Sequence, residues 1–433
     1  MEGKATKFHL LVLSVVLAAA MTPVRAGGPL YVTGVESAQP GRPYRWALNP
    51  VPYKTDRGGL GYLSNTEANS MVSEAFQVWQ NVETSNLTFY NAGLLDYDVT
   101  QGNIWPFYNG LSACNSSAQP ANSVVYDLDG SLISAWGYDN NSILGFSDII
   151  CQDDVNGVYT RGWVLLNGRF IDGKPETPSH QTVTLEEFKG VMIHEFGHLI
   201  GLDHSQINLN CLTDTSCPIE DQEGVPTMFP ILLDASRQSV LTTDDKSALS
   251  ALYPAPDFES TTGRIRGHVV FADGQTPAQG YNVIARSVAD PRRTAVSGVS
   301  GFLFTAGAGN PFVPEGQSTD ISYGSRDPSL IGFYDLPGLP PGEYTIEVEA
   351  IYNSGNNPFV DGSSVGPIGN YLGFQYKMPG TCNPQYLKYP SSPGDDCSEK
   401  STVTVGAGGL VETNTDVILL GTPPRYDAWE DGP

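Results

Sequence analysis

The chain is poor in charged residues, and above all in basic ones. Charged side chains make up 16% of its 433 residues, and 23 Lys and Arg stand against 47 Asp and Glu, for a formal net charge of −24. Nucleic acids are bound through clusters of Lys and Arg that contact phosphates, and anionic membranes attract the same residues. The composition therefore excludes a nucleic-acid-binding protein and a protein held on an anionic membrane by its charge.

Long apolar runs are also missing beyond the N-terminus. The run Leu10–Met21 follows two lysines and is shorter than the roughly 20 residues that span a bilayer. The small residues Val24 and Ala26 then fit a cleavage site after Ala26. We predict a secretory signal peptide at 1–26, with an N-terminal membrane anchor as the alternative, and expect a secreted, extracellular monomer without membrane insertion.

Cysteine is scarce, but its even count is informative. Six cysteines in an exported chain favour disulfides over free thiols. The alternative, cysteine metal ligands, lacks support because no C-x-x-C pair is present. Proximity in the sequence suggests the pairs Cys114–Cys151, Cys211–Cys217 and Cys382–Cys397.

Local patterns predict three helices in the first half of the chain. Ser64–Val82 and Thr184–Leu202 each begin with a capping box and continue with apolar residues at helical spacing. Thr243–Tyr253 is a shorter helix before a Pro-rich stretch. The Asn167-Gly168 pair, between two apolar runs, predicts a β-hairpin.

After about residue 261 only strand and turn patterns remain, which predicts an all-β sandwich. The preceding part, with its three helices, is predicted to be an α+β domain. The boundaries that follow are a signal peptide at 1–26, a short leader at 27–42, a first domain at 43–254, a linker at 255–261, a β-sandwich at 262–421 with an insertion near 353–400, and a polar tail at 422–433.

The clearest chemical pattern is H-E-x-x-H-x-x-G-x-x-H, from His194 to His204. On a helix, His194 and His198 lie one turn apart on the same face. Gly201 allows the chain to leave the helix, so that His204 can supply a third nitrogen. Three nitrogen ligands leave a fourth position for water, as in catalytic zinc sites. Glu195 is the predicted general base for the zinc-activated water, and buried structural histidines are the alternative.

These residues resemble the metzincins, specifically the matrixins, which are zinc metalloproteases similar to matrix metalloproteinases. Ser205 follows the third histidine as in that family, Pro226–Pro230 resembles its Met-turn, and Leu241–Tyr253 resembles its closing helix. The resemblance covers about 43–254. It implies an α+β fold with a mixed sheet, one catalytic Zn²⁺, and Met228 beneath the zinc site.

The same resemblance implies a zinc endopeptidase that cleaves protein or peptide substrates in a cleft. Phe229 and Pro230 are candidate walls of the specificity pocket, and Leu165 belongs to a strand that is a candidate cleft wall. Calcium is a candidate second cofactor, with Asp127 and Asp129 as its ligands. A solvated acidic surface is the favoured alternative for these two carboxylates.

The second domain resembles the carboxypeptidase regulatory-like (transthyretin-like) β-sandwich. The resemblance rests on Gly263–Gly267, Gly332–Leu336 and Pro341–Thr345. It implies a spacer or adhesive module, with an extracellular matrix or cell-surface component as a candidate ligand.

Taken together, these patterns predict a secreted zinc endopeptidase. Two alternatives stay open: a catalytically silent adhesion or carbohydrate-binding protein on a protease fold, and a metalloenzyme with a non-peptide substrate. The intact Glu195 and its three neighbouring histidines favour the protease.

Overall fold

The computed structural model describes residues 28–34, 37–114, 122–177, 179–208, 211, 219–229, 232, 238–304, 325, 327–349, 351, 385–388, 400–413 and 416–420. The predicted signal peptide, the tail at 422–433 and most of the predicted insertion at 353–400 lie outside these residues. The protein is α+β, with a few helices and several sheets, one of them mixed.

The elements are numbered in chain order within the described residues. The α-helices are α1 (Asn65–Gln80), α2 (Ile104–Leu111), α3 (Ser131–Ala135), α4 (Leu185–Ile200), α5 (Ile219–Gln222), α6 (Thr243–Leu252) and α7 (Phe258–Thr261). The strands before residue 255 are β1 (Arg45–Trp46), β2 (Val51–Thr55), β3 (Phe89–Leu94), β4 (Asn122–Asp127), β5 (Gly145–Asp153) and β6 (Val158–Asn167). The later strands are β7 (Gly263–Val270), β8 (Asn282–Ser287), β9 (Ala295–Val299), β10 (Phe333–Leu339), β11 (Gly342–Glu349), β12 (Gln385–Tyr386), β13 (Thr402–Val405), β14 (Leu410–Glu412) and β15 (Val417–Ile418).

The first six strands form one mixed sheet. Its order is β1-β6-β4-β2-β3, with every pair parallel, and β5 joins β6 as an antiparallel strand. The opposite edge of β5 carries no strand among the described residues. An antiparallel strand on an otherwise parallel sheet is common in mixed folds.

Both faces of this sheet are covered, as the alternation of side chains along β4 and β6 requires. Val124 and Val164 join the larger apolar cluster, which also contains the buried faces of α1 and α4. Val125 and Leu165, the next residue in each strand, join a second cluster with residues of α2 and α3. The long helices and the short ones therefore lie on opposite sides of the sheet.

The three predicted helices are confirmed, with ends that differ by one or two residues. Capping boxes start α1 at Ser64 and α4 at Thr184, as predicted, and a third one starts α6 at Thr242. Aromatic contacts hold α1 to α4: the rings of Phe76 and Phe196 stack with centroids 3.9 Å apart.

The hairpin predicted at Asn167-Gly168 is wrong. Strand β6 ends at Asn167, and the next four residues, Gly168–Ile171, form a 3-10 helix. The Asn167 side chain explains the difference, because it accepts a hydrogen bond from Arg169 N and donates to Ile143 O at 2.6 Å. The amide thereby holds a non-hairpin turn, and β6 pairs instead with β4 and β5.

Two segments predicted as connections are packed against the first part of the fold. Within the predicted leader, Leu30 N donates to Gly201 O at 2.6 Å, and Asp203 N donates to Gly28 O at 3.0 Å. The predicted linker is bonded to the first part at Ala255, whose N donates to Thr84 O at 3.0 Å. It also contains α7, whose Phe258 is buried. The N-terminal segment therefore lies beside the end of α4.

The strands after residue 262 form two further sheets around one apolar core. One sheet has β7 at its centre, between β10 and β14, and β15 also pairs with β7. In the other, β11 pairs with β8, β12 and β13, and β8 pairs with β9. Residues of both sheets, among them Ile265, Leu336 and Ile346, belong to the same buried cluster. We call residues 263–420 the β region.

The predicted disulfide Cys114–Cys151 is confirmed. Cys211 is also disulfide-bonded, whereas Cys217, Cys382 and Cys397 lie outside the described residues. No helix among the described residues is long and apolar enough to cross a membrane.

We expect the Cys114–Cys151 bridge to stabilise the first sheet substantially. It closes a loop of 37 residues, and the chain-entropy relation assigns about 4 kcal/mol to a loop of that length. The variant Cys114→Ser with Cys151→Ala should therefore lower the free energy of unfolding in urea by roughly 3–4 kcal/mol. An unchanged urea midpoint would contradict this role for the bridge.

Candidate metal centre

Helix α4 carries the first two histidines, and its end carries the third. His194 and His198 lie one turn apart in α4 and are both buried. The helix ends at Gly201, whose φ of +102° is a left-handed conformation that glycine adopts at little cost. A Cβ at Gly201 would also lie 2.6 Å from the ring of Tyr159. This turn brings His204 back towards the helix.

The three imidazoles converge on one point. The Nε2 atom of His198 lies 3.1 Å from Nε2 of His194 and 3.1 Å from Nε2 of His204. His194 Nδ1 donates to Thr227 O at 2.8 Å, and His198 Nδ1 donates to Leu202 O at 2.9 Å. Because Nδ1 holds the proton in both rings, two Nε2 lone pairs face each other.

This donor set fits a metal ion. A tetrahedral ion with nitrogen ligands at about 2.0–2.1 Å places those nitrogens about 3.3 Å apart, close to the observed separations. Hydrogen bonds from Nδ1 to backbone carbonyls are the usual way in which ligating histidines are oriented. Among the described residues, the histidine triad is the only group of three or more His, Cys, Asp or Glu that could hold a metal ion.

Burial keeps all three rings neutral. Desolvation lowers the pKa of His194 to about 4. Desolvation and the repulsion between two protonated rings lower the pKa of His198 to about 3. The pKa of His204 is lowered well below its usual value by burial and by the repulsion that protonated His198 and His194 would exert on it. At neutral pH the lone pairs are therefore available to a cation.

Glu195, the residue after His194 in α4, has a buried carboxylate. It is fully buried, and neither carboxylate oxygen has a hydrogen-bond partner among the described residues. Desolvation raises the pKa of Glu195 to about 8. A cation held by the histidines would favour the ionised form and lower this pKa. The unpartnered carboxylate is thus a second observation that fits a metal ion.

Met228 and the turn that contains it lie under the triad. Gly197 makes this possible, because a Cβ there would lie 2.2 Å from Met228 Sδ and 2.9 Å from the ring of Trp79. The turn itself is held by Asp245, whose carboxylate accepts hydrogen bonds from Thr227 N and Met228 N, both at 3.0 Å. Asp245 therefore fixes the carbonyl of Thr227 that orients His194.

The candidate pocket residues occupy different environments. Leu165 is fully buried in the cluster on the sheet face that carries α2 and α3, away from α4. Phe229 is 1% exposed, and Pro230 lies outside the described residues. The strand that approaches Glu195 is β5, because a Cβ on Gly145 would lie 3.3 Å from Glu195 Cγ.

The candidate calcium ligands are engaged by backbone amides. Asp127 is buried and accepts hydrogen bonds from Gly130 N at 3.0 Å and Ile133 N at 2.9 Å. Asp129 accepts one from Ser131 N at 3.1 Å. These bonds stabilise the turn into α3, and calcium binding there stays a prediction.

Sequence reasoning missed the acidic pair at the start of α6. Asp244 and Asp245 are both buried, although Asp is rarely found so. The capping box of Thr242 with Asp245 is readable in the sequence as Thr-Thr-Asp-Asp before an apolar run. Asp245 has a second role, which is to hold the turn at Met228. That role depends on a contact between segments distant along the chain, so no local sequence pattern indicates it.

Neither a scan against protein-family models nor a search of the curated proteins found a match to this chain.

A substitution tests the contact between α4 and the Met228 turn. Gly197→Ala places a methyl group against Met228 and Trp79, so we expect the free energy of unfolding to fall by about 1–3 kcal/mol. Gly110→Ala in α2 is the matched control, because no atom lies within 4 Å of its added Cβ. That control should be neutral or stabilising by up to about 1 kcal/mol. Equal effects of the two substitutions in urea denaturation would contradict the proposed close packing.

The raised pKa of Glu195 predicts a pH-dependent stability difference in the chelator-treated protein. A carboxyl group whose folded-state pKa is raised contributes stability at low pH that is lost as pH rises. Glu195→Gln removes this titration. The melting temperature of Glu195→Gln minus that of the unsubstituted protein should therefore increase from about pH 4.5 to about pH 8 and then level off. A pH-independent difference would show that Glu195 is not desolvated.

Proposed function

We propose that the protein is an exported zinc-dependent endopeptidase of the metzincin type, similar to the matrixins. The observation that carries this proposal is the convergence of three neutral Nε2 atoms beside a buried carboxylate without a partner. Structural metal sites are usually closed by four protein ligands. Three histidines with an adjacent free carboxylate suit hydrolysis better than a purely structural role.

The chemistry divides between the metal and the chain. A bound zinc ion supplies a Lewis acid that polarises a carbonyl and makes water more acidic. The carboxylate of Glu195 accepts a proton from the attacking water at an Oε atom and returns it to the amine nitrogen that leaves. His194, His198 and His204 hold the ion, and the carbonyls of Thr227 and Leu202 orient two of those rings.

The substrate is proposed to bind as an extended strand along β5. Strand β5 begins at Gly145, next to Glu195, and its outer edge is unpaired among the described residues. Peptides commonly bind such edges through backbone hydrogen bonds, independently of their side chains. This placement would bring a peptide carbonyl close to the histidine triad, which favours a peptide over a small-molecule substrate.

Two further features complete the proposal. Disulfides persist in oxidising compartments, so the Cys114–Cys151 bridge supports export of the chain. The two sheets that share one core support a β-sandwich of the carboxypeptidase regulatory-like type in the β region.

Metal content and proteolysis should be measured on the same preparations of the chain beginning at Gly27. We expect about one zinc ion per chain and chelator-sensitive cleavage of casein or gelatin. Glu195→Ala should keep the zinc but lower the cleavage rate by roughly 10²–10⁴-fold, because it removes the general base. Glu186→Gln is the matched control: it alters an exposed carboxylate of the same helix, bonded to Ser239, and should cleave normally.

The outcomes separate the candidate functions. Zinc binding without cleavage of any protein or peptide would favour a non-peptide substrate or a silent adhesion protein. Equal cleavage by Glu195→Ala and the unsubstituted chain would contradict the assigned general base. Folded protein without zinc would overturn the metal centre itself.

A further inference from the structure

The buried acidic pair at the start of α6 faces two different parts of the molecule. Asp245 binds the turn at Met228, as described above. Asp244 accepts a hydrogen bond from Ser297 N at 2.6 Å, and Ser297 Oγ lies 3.1 and 3.2 Å from its two carboxylate oxygens. Ser297 belongs to β9 of the β region. Adjacent residues of one helical turn thus connect the metal centre to the β region.

Asp244 also contacts the chain next to the third histidine. Burial raises the pKa of the Asp244 carboxyl, and an interaction with the Ser205 side chain lowers it. In addition, Ser205 N donates to Met228 O at 2.8 Å. Ser205 follows His204 directly. The position of His204 therefore depends on a carboxylate that is itself held by β9.

The segment beyond Ser205 lies on the same strands. We call residues 205–224 the third-ligand loop, which is described at 205–208, 211 and 219–224. Asn208 accepts a hydrogen bond from Arg286 Nη1 at 2.9 Å, and Asp221 pairs with Arg292 at 2.5 Å. Ile207 forms a small buried cluster with Ile284 and Ala295 of β8 and β9.

A second part of α6 contacts the neighbouring sheet. Ser247 Oγ donates to Pro337 O at 2.6 Å, in β10. Gly338 permits this approach, because a Cβ there would lie 2.7 Å from Ser247 Oγ. Polar and apolar contacts thus connect the β region to both α6 and the third-ligand loop.

We propose that the β region holds the metal centre in its binding geometry, with Ser297 and Asp244 as positioning residues for His204. In this arrangement the β region is a required part of the metalloprotease, in contrast to an appended spacer whose loss leaves the site intact. The proposal rests on the proposed metal site, but it concerns how that site is held. It predicts that contacts in β9 influence metal affinity without touching the metal.

The test measures two quantities in the full chain: zinc affinity, and protection of the Ser205 amide against hydrogen exchange. Ser297→Ala removes the hydroxyl contact and keeps the backbone one, and Asp244→Asn keeps the shape of the side chain. Each should weaken zinc binding about three- to tenfold in a competition titration with a chelator, less than the 10–100-fold typical of residues that contact the ligands themselves. The double variant should be less than additive, because both substitutions remove the same contact.

A control separates this effect from general loss of stability. Tyr334→Phe removes a buried hydrogen bond to Thr413 Oγ1 within the β region and leaves both Ser297 and Asp244 unchanged. It should lower the melting temperature and leave zinc affinity unchanged. If it weakens zinc binding as much as Ser297→Ala, or if neither variant changes it, the proposal is wrong.

Hydrogen exchange of the chelator-treated protein gives a readout that needs no metal. The amide of Ser205 should exchange faster in Ser297→Ala and Asp244→Asn than in Tyr334→Phe. If the unsubstituted chain binds no zinc, the proposed function fails, and this exchange experiment alone decides whether β9 holds the third-ligand loop. Unchanged protection at Ser205 would then overturn the positioning role.

Discussion

The site depends on one constraint, which is that the Nε2 atoms of three imidazole rings meet inside the protein. The Nε2 lone pairs of His194 and His198 repel each other at a separation of 3.1 Å, and burial removes the water that would otherwise solvate them. Their pKa values are lowered for the same reason, so protonation offers little relief at neutral pH. A cation satisfies all three at once. The surrounding fold must therefore hold the rings in place against this repulsion.

Packing and hydrogen bonds to backbone carbonyls hold the three rings in place. Helix α4 is anchored by Trp46 Nε1 of β1, which donates to Leu199 O at 2.7 Å, and by Trp79 Nε1 of α1, which donates to Ile193 O at 2.8 Å. Both indoles bond to helix carbonyls on turns close to the histidines. Large aromatic side chains with one fixed donor restrict a helix both along and around its axis. The arrangement of the three rings is thus fixed by the protein itself.

The sequence predicts those parts of the structure that follow from local patterns of residues. The two long helices follow from capping boxes and apolar spacing, and the histidine triad follows from i, i+4 spacing plus a glycine that ends the helix. The region 91–160 gave few such signals, although it contains α2, α3 and β5. Asn167-Gly168 misled, because its amide bonds to a distant carbonyl. Contacts of Asp244 and Asp245 likewise join segments far apart in sequence, which no local pattern encodes.

For the same reason, the sequence of the β region resembles that of a separate module. Buried and more exposed side chains alternate along its strands, as in other sheets with one face against a core. Its core is an apolar cluster of its own. The residues that connect it to the metal centre are polar and scattered, such as Asn208, Arg286 and Ser297, and each is unremarkable in its own segment. A buried aspartate is costly unless its oxygens are bonded, and Asp244 is bonded by the backbone N and the hydroxyl of Ser297. Because the buried Asp244 carboxylate requires hydrogen bonds, it joins α6 to the β region, two parts of the chain whose sequence patterns differ.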